Sequence, residues 1–89
     1  MEITEVKVFP AKDTTGRLKA YASIVLDKDF IVRNLKLIEG TKGLFVSMPS
    51  RRRKDGSFRD IVHPLNADMR KKIEESVIVE YNNLAENEF

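Results

Sequence analysis

The alternation of apolar and polar residues predicts that the first two thirds of the chain form β-strands. Residues 3–9 mix β-branched and charged side chains in the short pattern of a strand, with Val6 and Val8 on one face. Residues 18–26 give the clearest strand, because apolar side chains recur there at every second position. The expected core face of that strand consists of Leu18, Ala20, Ala22, Ile24 and Leu26.

Two further strands are predicted at residues 30–38 and 44–48, with the polar segment 27–29 as the tight turn of an antiparallel hairpin. Pro49 interrupts the fourth strand, because proline lacks the N–H that a central ladder needs. The polar segment that follows is predicted to be a loop. Residues 58–62 are then predicted to form a fifth short strand that returns beside the fourth.

A three- and four-residue spacing of apolar side chains predicts one amphipathic helix from Asn66, a suitable N-cap, to about residue 83. Its apolar stripe is Met69, Ile73, Val77, Tyr81 and Leu84. The last five residues, 85–89, lack this periodicity and are expected to fray. The whole pattern predicts one α+β domain over residues 1–89, a small antiparallel β-sheet of about five strands with a basic hairpin arm and one C-terminal amphipathic helix packed on the sheet.

The third strand has apolar side chains on both faces if its residues alternate regularly. Alternation places on one face Phe30, Val32 and Ile38, and on the other Ile31, Leu35 and Leu37. One helix covers only one face of a sheet, so the second face needs another partner. We therefore expect a homodimer whose interface includes this strand or the edge beside it.

Length and composition limit the classes of protein that fit. A chain of 89 residues has room for one modest core, and its lack of cysteine removes disulfides and thiolate ligands. The first residues, MEITEVKV, do not form the basic and apolar regions of a secretion signal, and no segment has the ~20 apolar residues of a membrane span. We expect a cytoplasmic protein that is neither exported nor embedded in a membrane.

The formal net charge of +2 conceals a strong separation of charge along the chain. Residues 51–72 carry eight basic and three acidic side chains, whereas residues 73–89 carry five acidic side chains and no basic ones. A basic block of this kind concentrates positive potential on one part of the surface and favours the capture of a polyanion. The alternative is an ordinary solvated charged surface.

The basic block begins with a segment that we call the basic arm, residues 50–59, SRRRKDGSFR. Its Asp55-Gly56 pair is a turn signal, so the cationic side chains are expected on a projecting hairpin. Arginine suits phosphate because its planar guanidinium binds two oxygens and keeps its charge. The alternative is a mobile loop that its charge keeps soluble. The candidate nucleic-acid-binding residues of the arm are Arg51, Arg52, Arg53, Lys54 and Arg59.

Three more cationic candidates, Arg70, Lys71 and Lys72, lie in the first turns of the predicted helix. Cations there oppose the helix dipole at a cost of ~0.3–1 kcal/mol each, and a docked phosphate would relieve the conflict. The alternative is that Arg70–Glu74 and Lys71–Glu75 are surface pairs at i,i+4 spacing, each contributing ~0.2–0.5 kcal/mol.

Aromatic and catalytic candidates are fewer. Phe58 or Tyr21 could stack on an unpaired base, but we expect Phe58 to pack inward at the start of its strand. His63 is the only histidine, and Asp60 is an acid close enough in sequence to orient it; we expect a structural residue before a proline. The sequence has no metal-ligand cluster, phosphate-binding glycine loop or nucleophile set, so we expect no cofactor, no small-molecule substrate and no enzyme activity.

The segment GLFVSMPSRRRKDGSFRDIVHPLN, residues 43–66, resembles the SpoVG family. In that family a strand, an MPS turn, a basic arm ending in DG, an FRDI strand and an HP-[IL]-N helix start follow in this order. The opening MEITEVKV, the central AYASIVLDKDFIVRNLKLIEG and the helix ending in EY also fit. The resemblance therefore covers nearly the whole chain.

The resemblance implies a dimeric α+β protein of bacteria that binds DNA and RNA and regulates gene expression, with effects on septation, sporulation and virulence. Arg51, Arg52 and Arg59 match the basic arm of the family, whereas basic residues at the positions of Arg53 and Lys54 are less uniform in it. We expect a nucleic-acid-binding regulator. The alternative is a protein-interaction module whose basic arm docks an acidic division or transcription partner. Salt-dependent binding to mixed nucleic acid would separate the two.

Overall fold

A computed structural model describes residues 1–12 and 15–87, the last three of these by their backbone only, and within them six β-strands and one α-helix form an α+β fold. The strands are β1 (Ile3–Pro10), β2 (Leu18–Leu26), β3 (Phe30–Gly40), β4 (Gly43–Ser47), β5 (Ser50–Arg52) and β6 (Phe58–Asp60). The helix α1 spans Ala67–Asn87. The predicted fold class is confirmed.

The strands form two antiparallel sheets instead of one. The larger sheet has the order β1-β2-β3-β4, and β5 and β6 form a separate two-stranded sheet. The prediction that residues 58–62 return beside the fourth strand is wrong, because β6 ends at Asp60 and pairs with β5, a segment predicted to be loop. Pro49 offers no N–H to a ladder, so the chain leaves the larger sheet after Ser47 and closes a new hairpin.

The core lies between α1 and one face of the larger sheet. As predicted, Ile73 and Val77 of the helix stripe are buried, and Met69, Tyr81 and Leu84 pack against the core partly buried. α1 contacts both β1 and β4, so it crosses the width of the sheet. The buried side chains of the four strands are Val8, Ala20, Ala22, Ser23, Ile24, Leu26, Val32, Leu35, Leu37 and Val46.

A β-bulge in β3 decides which of its side chains reach the core. Asn34 has a left-handed backbone with a φ of 64°, and the pairing register with β2 shifts beside it. The inserted residue puts Leu35 and Leu37 on the same face as Val32, and all three are buried. The prediction that Leu35 and Leu37 point away from Val32 is therefore wrong, because regular alternation assumes an uninterrupted strand.

A second register shift, between Leu18 and Ala20, removes Leu18 from the predicted core face of β2. Leu18 pairs with Ile38 and is only half-buried, and it does not pack against the core. The other four residues predicted for that face are buried. The period of two is thus confirmed from Ala20 onward.

The turn between β2 and β3 is as tight as predicted. Asp27 and Lys28 both have positive φ, 52° and 63°, and the N–H of Asp29 donates to the Leu26 carbonyl at 3.0 Å. Two left-handed central residues are typical of a type I′ turn, whose twist matches that of the paired strands. Asp27 also accepts a hydrogen bond from the N–H of Glu2 at 2.8 Å, which ties the turn to the start of β1.

The helix begins where predicted and ends later. The Oδ1 atom of Asn66 accepts a hydrogen bond from the N–H of Met69 at 2.8 Å, which is an N-cap interaction. Residues 85–87 continue the helix instead of fraying, and Leu84 anchors the turn before them on the core. Residues 88–89 of the expected frayed tail lie outside the described residues. In the described part of the chain, no helix has the length and apolar character to cross a membrane.

Candidate nucleic-acid interface

The basic arm is a hairpin with a hydrogen-bonded turn. The N–H of Arg53 donates to the Ser57 carbonyl at 2.7 Å, and Gly56, with a φ of 91°, lets the chain reverse between them. The Oδ1 atom of Asp55 accepts hydrogen bonds from the Ser57 hydroxyl at 2.6 Å and from the Ser57 N–H at 2.9 Å. These hydrogen bonds, with the hydroxyl contributing most, lower the pKa of Asp55 below its ordinary value of 3.8. The one acidic residue of the arm therefore orders its turn.

The five cationic candidates of the arm are all exposed, and the hairpin holds two of them against each other. Arg51 lies directly opposite Arg59, and Arg52 lies opposite Phe58. Like charges at directly opposed positions destabilise an antiparallel pair. None of the five cations has an ion pair with another described side chain. An anion from outside the chain would therefore relieve the repulsion in the arm.

The arm cations surround one open depression of about 480 Å³. Its lining consists of Arg51, Arg52, Arg53, Lys54, Arg59, Asp60 and Ile61. The structure thus brings together every arm residue that the sequence indicated. Concave positive surfaces concentrate potential, and guanidinium groups hold phosphate oxygens in pairs, so this depression suits a phosphate backbone.

The exposure of Phe58 contradicts the expectation that it packs inward. Its exposed fraction is 70%, and it lies on the arm opposite Arg52. A two-stranded hairpin has no second layer, so a strand start there has no core to pack into. The exposed ring beside guanidinium groups has the chemistry of a base-stacking residue.

The cations at the start of α1 are less concentrated. Lys71 forms the expected i,i+4 pair with Glu75, at 3.9 Å between Nζ and Oε1. Arg70 is half-buried, and within the described side chains it forms no ion pair with Glu74. Lys72 lines a second depression, of about 540 Å³, with Met1, His63, Pro64, Leu65, Asn66, Asp68 and Met69. The arm and the helix start therefore line different depressions.

Glu74 connects the helix to the sheet. Its Oε2 atom accepts a hydrogen bond from the N–H of Val46 in β4 at 3.0 Å. β4 is the last strand of the larger sheet, so this N–H has no further strand to pair with. The carboxylate satisfies the sheet edge and fixes the start of α1 above it.

His63 lies at the junction between the arm and the helix, where it was predicted. Its side chain is exposed, and its Nδ1–H donates to the Pro64 carbonyl at 3.0 Å. Asp60, the acid considered as its orienting partner, does not take part in this hydrogen bond. A contribution of His63 to stability stays a prediction.

An apolar groove of about 300 Å³ opens at one end of the core, and sequence reasoning did not single it out. Phe30 and Val62 line it and are 63% and 40% exposed. Leu65, next to the groove residue Pro64, is 92% exposed. Exposed apolar side chains grouped in this way are typical of a contact surface. In the sequence, Phe30 and Val32 are two positions apart and so fall on one face of β3. This spacing was the signal that could have indicated the groove.

On the face of the larger sheet away from α1, Tyr21 lies among residues that the sequence did not indicate. Tyr21, one of the two stacking candidates, is 42% exposed there and lies directly opposite Phe9 on one side and Lys36 on the other. Lys7 shares this face, because residues two apart on a strand point the same way. The alternation of Lys7 and Phe9 in β1 was the available signal.

Comparison with known proteins gives one consistent family. The family model described as SpoVG matches residues 1–83. A septation protein SpoVG of Bdellovibrio bacteriovorus is 59% identical over 81 residues, covering 91% of this chain and 73% of the relative. A relative of the same name from Anaeromyxobacter sp. (strain K) is 55% identical over 82 residues, covering 92% and 79%. Another, from Oceanobacillus iheyensis, is 49% identical over 88 residues, covering 99% and 91%.

The matched region includes all six strands, the basic arm and most of α1. The identities are high over nearly the full length of this chain, and the relatives share one name. The chain belongs to the SpoVG family of septation proteins.

Proposed function

We propose that this protein is a nucleic-acid-binding regulator of gene expression in the bacterial cytoplasm, acting in processes of the septation and sporulation type. The observation that carries the proposal is the depression in the basic arm, where five exposed cations meet without an ion pair to any described side chain. The name of the relatives, septation protein, supports the cellular process.

The basic arm binds the sugar-phosphate backbone in this proposal. Arg51 and Arg59, held opposite each other, approach neighbouring phosphate oxygens, and the repulsion between them falls when the phosphates arrive. Phosphate contacts set the position of a protein on nucleic acid but carry no base information. The arm should therefore contribute affinity for many sequences.

The start of α1 supplies a second group of phosphate contacts. Arg70 and Lys72 lie near the positive end of the helix dipole and have no ion pair within the described side chains. Lys71 is already paired with Glu75 at 3.9 Å and is expected to contribute less. Binding at both places requires the nucleic acid to contact two depressions.

A salt titration of binding tests the arm. Duplex DNA, single-stranded DNA and RNA are compared by mobility shift with the native chain and with Arg51→Ala/Arg52→Ala. For duplex DNA, log affinity falls linearly with log salt concentration, and the magnitude of this slope should decrease by about 0.9 for each phosphate contact removed. Arg70→Ala/Lys72→Ala gives the same measurement for the helix start.

The matched control is Lys12→Ala/Lys42→Ala, which removes two exposed cations outside both depressions. Equal losses in control and arm variants would mean that net charge alone drives binding. Unchanged affinity and slope in both candidate variants, with the fold intact, would place the site elsewhere and favour a protein-interaction module with an acidic partner.

We also propose that the chain is a homodimer, as the sequence led us to expect. The sequence argument relied on a β3 with apolar side chains on both faces. The observation that now supports a dimer is the apolar groove, which is lined by the exposed side chains of Phe30, from the same strand, and Val62. A second copy could cover these side chains with its own. A dimer carries two basic arms, so both could bind one strand of nucleic acid.

A further inference from the structure

The face of the larger sheet away from α1, which we call the open face, carries aromatic and cationic side chains together. The pairing register places on it Lys7 and Phe9 from β1, Tyr21 from β2, Ile31 and Lys36 from β3 and Phe45 from β4. Phe9 is 56% exposed, Tyr21 42% and Phe45 41%. Three aromatic rings on one sheet face, each about half exposed, form a surface that the fold itself does not use.

The aromatic and cationic side chains are direct neighbours. Phe9 lies opposite Tyr21, and Tyr21 lies opposite Lys36 on the next strand. Directly opposed residues of an antiparallel pair have Cβ atoms about 4.5–5.5 Å apart. A second cation, Arg33, lies beside the bulge at Asn34 and lines the same shallow depression as these rings. That depression measures about 240 Å³ and is lined by Lys7, Phe9, Tyr21, Ala22, Ser23, Ile31, Arg33 and Asn34.

The charge of the open face is positive. Lys7, Arg33 and Lys36 are exposed, and none of them has an ion pair within the described side chains. Glu5, on the same face of β1, is the acid that opposes them. A second copy of this face would bring like charges together, so the open face is poorly suited to an isologous dimer contact. An anionic ligand with flat apolar groups is complementary to it.

Unpaired nucleotides have this combination of properties. A base offers a flat π face to an aromatic ring, and its phosphate is attracted by nearby Lys and Arg side chains. In a duplex the base faces are stacked inside the helix, so aromatic residues on a flat sheet cannot reach them. Exposed rings flanked by cations therefore favour single strands over duplexes.

We propose that the open face is a binding site for single-stranded nucleic acid, in which Phe9 and Tyr21 stack on bases and Lys7, Arg33 and Lys36 contact phosphates. This inference rests on the proposed nucleic-acid function and assigns a second role within it. The basic arm holds phosphates of either form, and the open face selects the unpaired form. Phe45 lies at the hairpin end of the same face, with its ring against Gly40.

Tyrosine fluorescence reports directly on this site. The chain has two tyrosines and no tryptophan, and the second tyrosine, Tyr81, packs against the core from α1. The variant Tyr81→Phe keeps that packing and leaves Tyr21 as the only tyrosine. Titration with oligothymidylate should quench its emission, whereas a duplex of the same length should quench it far less. The matched control, Tyr21→Phe, leaves Tyr81 alone and should not be quenched.

Affinity measurements give a second readout. Loss of a stacked aromatic ring costs about 1–3 kcal/mol per base, so Tyr21→Ala should weaken single-strand binding about fivefold or more. Its duplex affinity should stay unchanged. Val79→Ala, which shortens an exposed apolar side chain on α1, is the control and should keep both affinities. Lys36→Ala should lower the salt slope for single strands by about 0.7.

The outcomes separate this inference from the proposed function. If oligothymidylate binds while Tyr21 emission is unchanged, the open face is not the site, although the nucleic-acid function stands. If Tyr21→Ala weakens duplex and single strand equally, the selection of unpaired bases is wrong. If Tyr21→Ala loses binding to polyglutamate but not to oligothymidylate, the face is a protein-docking surface. If no nucleic acid binds the native chain at all, both proposals fail.

Discussion

Asn34 decides which side chains of the second half of β3 lie on each face of the larger sheet. Its φ of 64° belongs to the left-handed region, where asparagine and glycine are tolerated and β-branched residues are strained. We expect Asn34→Gly to change the free energy of unfolding by less than about 1 kcal/mol and Asn34→Val to lower it by about 1–2 kcal/mol. Urea unfolding measures both. Equal stability of the two variants would show that residue 34 does not adopt the left-handed backbone of the bulge in solution.

Asp55 gives a prediction about pH. Its hydrogen bonds with Ser57 lower its pKa in the folded arm, so the folded turn binds this proton less readily than the unfolded chain. The stability that these hydrogen bonds give the folded turn is therefore fully present above pH 3.8, the ordinary pKa, and is lost as the pH falls through the lower pKa of the folded arm. The NMR shift of the Ser57 amide should follow this titration. In Asp55→Asn the chemical shift of the Ser57 amide should stay constant below pH 4. If it still changed with pH as in the native chain, the effect would belong to another acid.

Glu74 connects α1 to the edge of the larger sheet, so the packing of these two elements should depend on its carboxylate. Glu74→Ala leaves the N–H of Val46 without its acceptor. Because the lost hydrogen bond is to a charged group, the free energy of unfolding should fall by about 1.5–3 kcal/mol. Glu74→Gln keeps an oxygen acceptor and should lose less. Thermal unfolding of both variants measures the difference. An alanine variant as stable as the glutamine variant would show that water replaces the carboxylate.

Local patterns predicted the elements better than they predicted how the elements pair. The N-cap at Asn66 and the helix stripe depend on neighbours a few residues away, and both were found from spacing alone. The separate sheet of β5 and β6 depends on which strand each one meets, and a periodicity does not contain that information. Phe58 was misplaced for the same reason, since its burial depends on a covering layer that the arm does not have.

The candidate sites show the same difference between local patterns and strand pairing. The cations of the basic arm were found because they are contiguous in sequence, and contiguity brings them together in any hairpin. The open face joins residues from four strands, so it becomes visible only once the register is known. Leu35 and Leu37 concealed it further, because alternation through Asn34 placed them there and made that face look apolar.

The distribution of apolar and charged side chains over the surface predicts the oligomeric state. The open face is cationic, whereas the groove exposes Phe30, and Leu65, next to the groove residue Pro64, is largely exposed. Apolar contact between two grooves is therefore the route to a dimer that meets the least charge repulsion. We expect sedimentation at micromolar concentration to give a dimer for the native chain and a folded monomer for Phe30→Lys. Val79→Lys, which alters an exposed position of α1, is the control and should remain dimeric.

The dimer prediction also has a consequence for binding. Two basic arms on one particle raise the effective concentration of the second arm once the first is bound, so affinity for a long nucleic acid should fall when the dimer dissociates. A short oligonucleotide that reaches one arm should bind monomer and dimer equally. Phe30→Lys separates these cases, since Phe30 does not line the depression of the basic arm and the variant adds a cation instead of removing one. A native chain that sediments as a monomer would contradict the groove interface, and an unchanged affinity of Phe30→Lys for long strands would show that each arm acts alone.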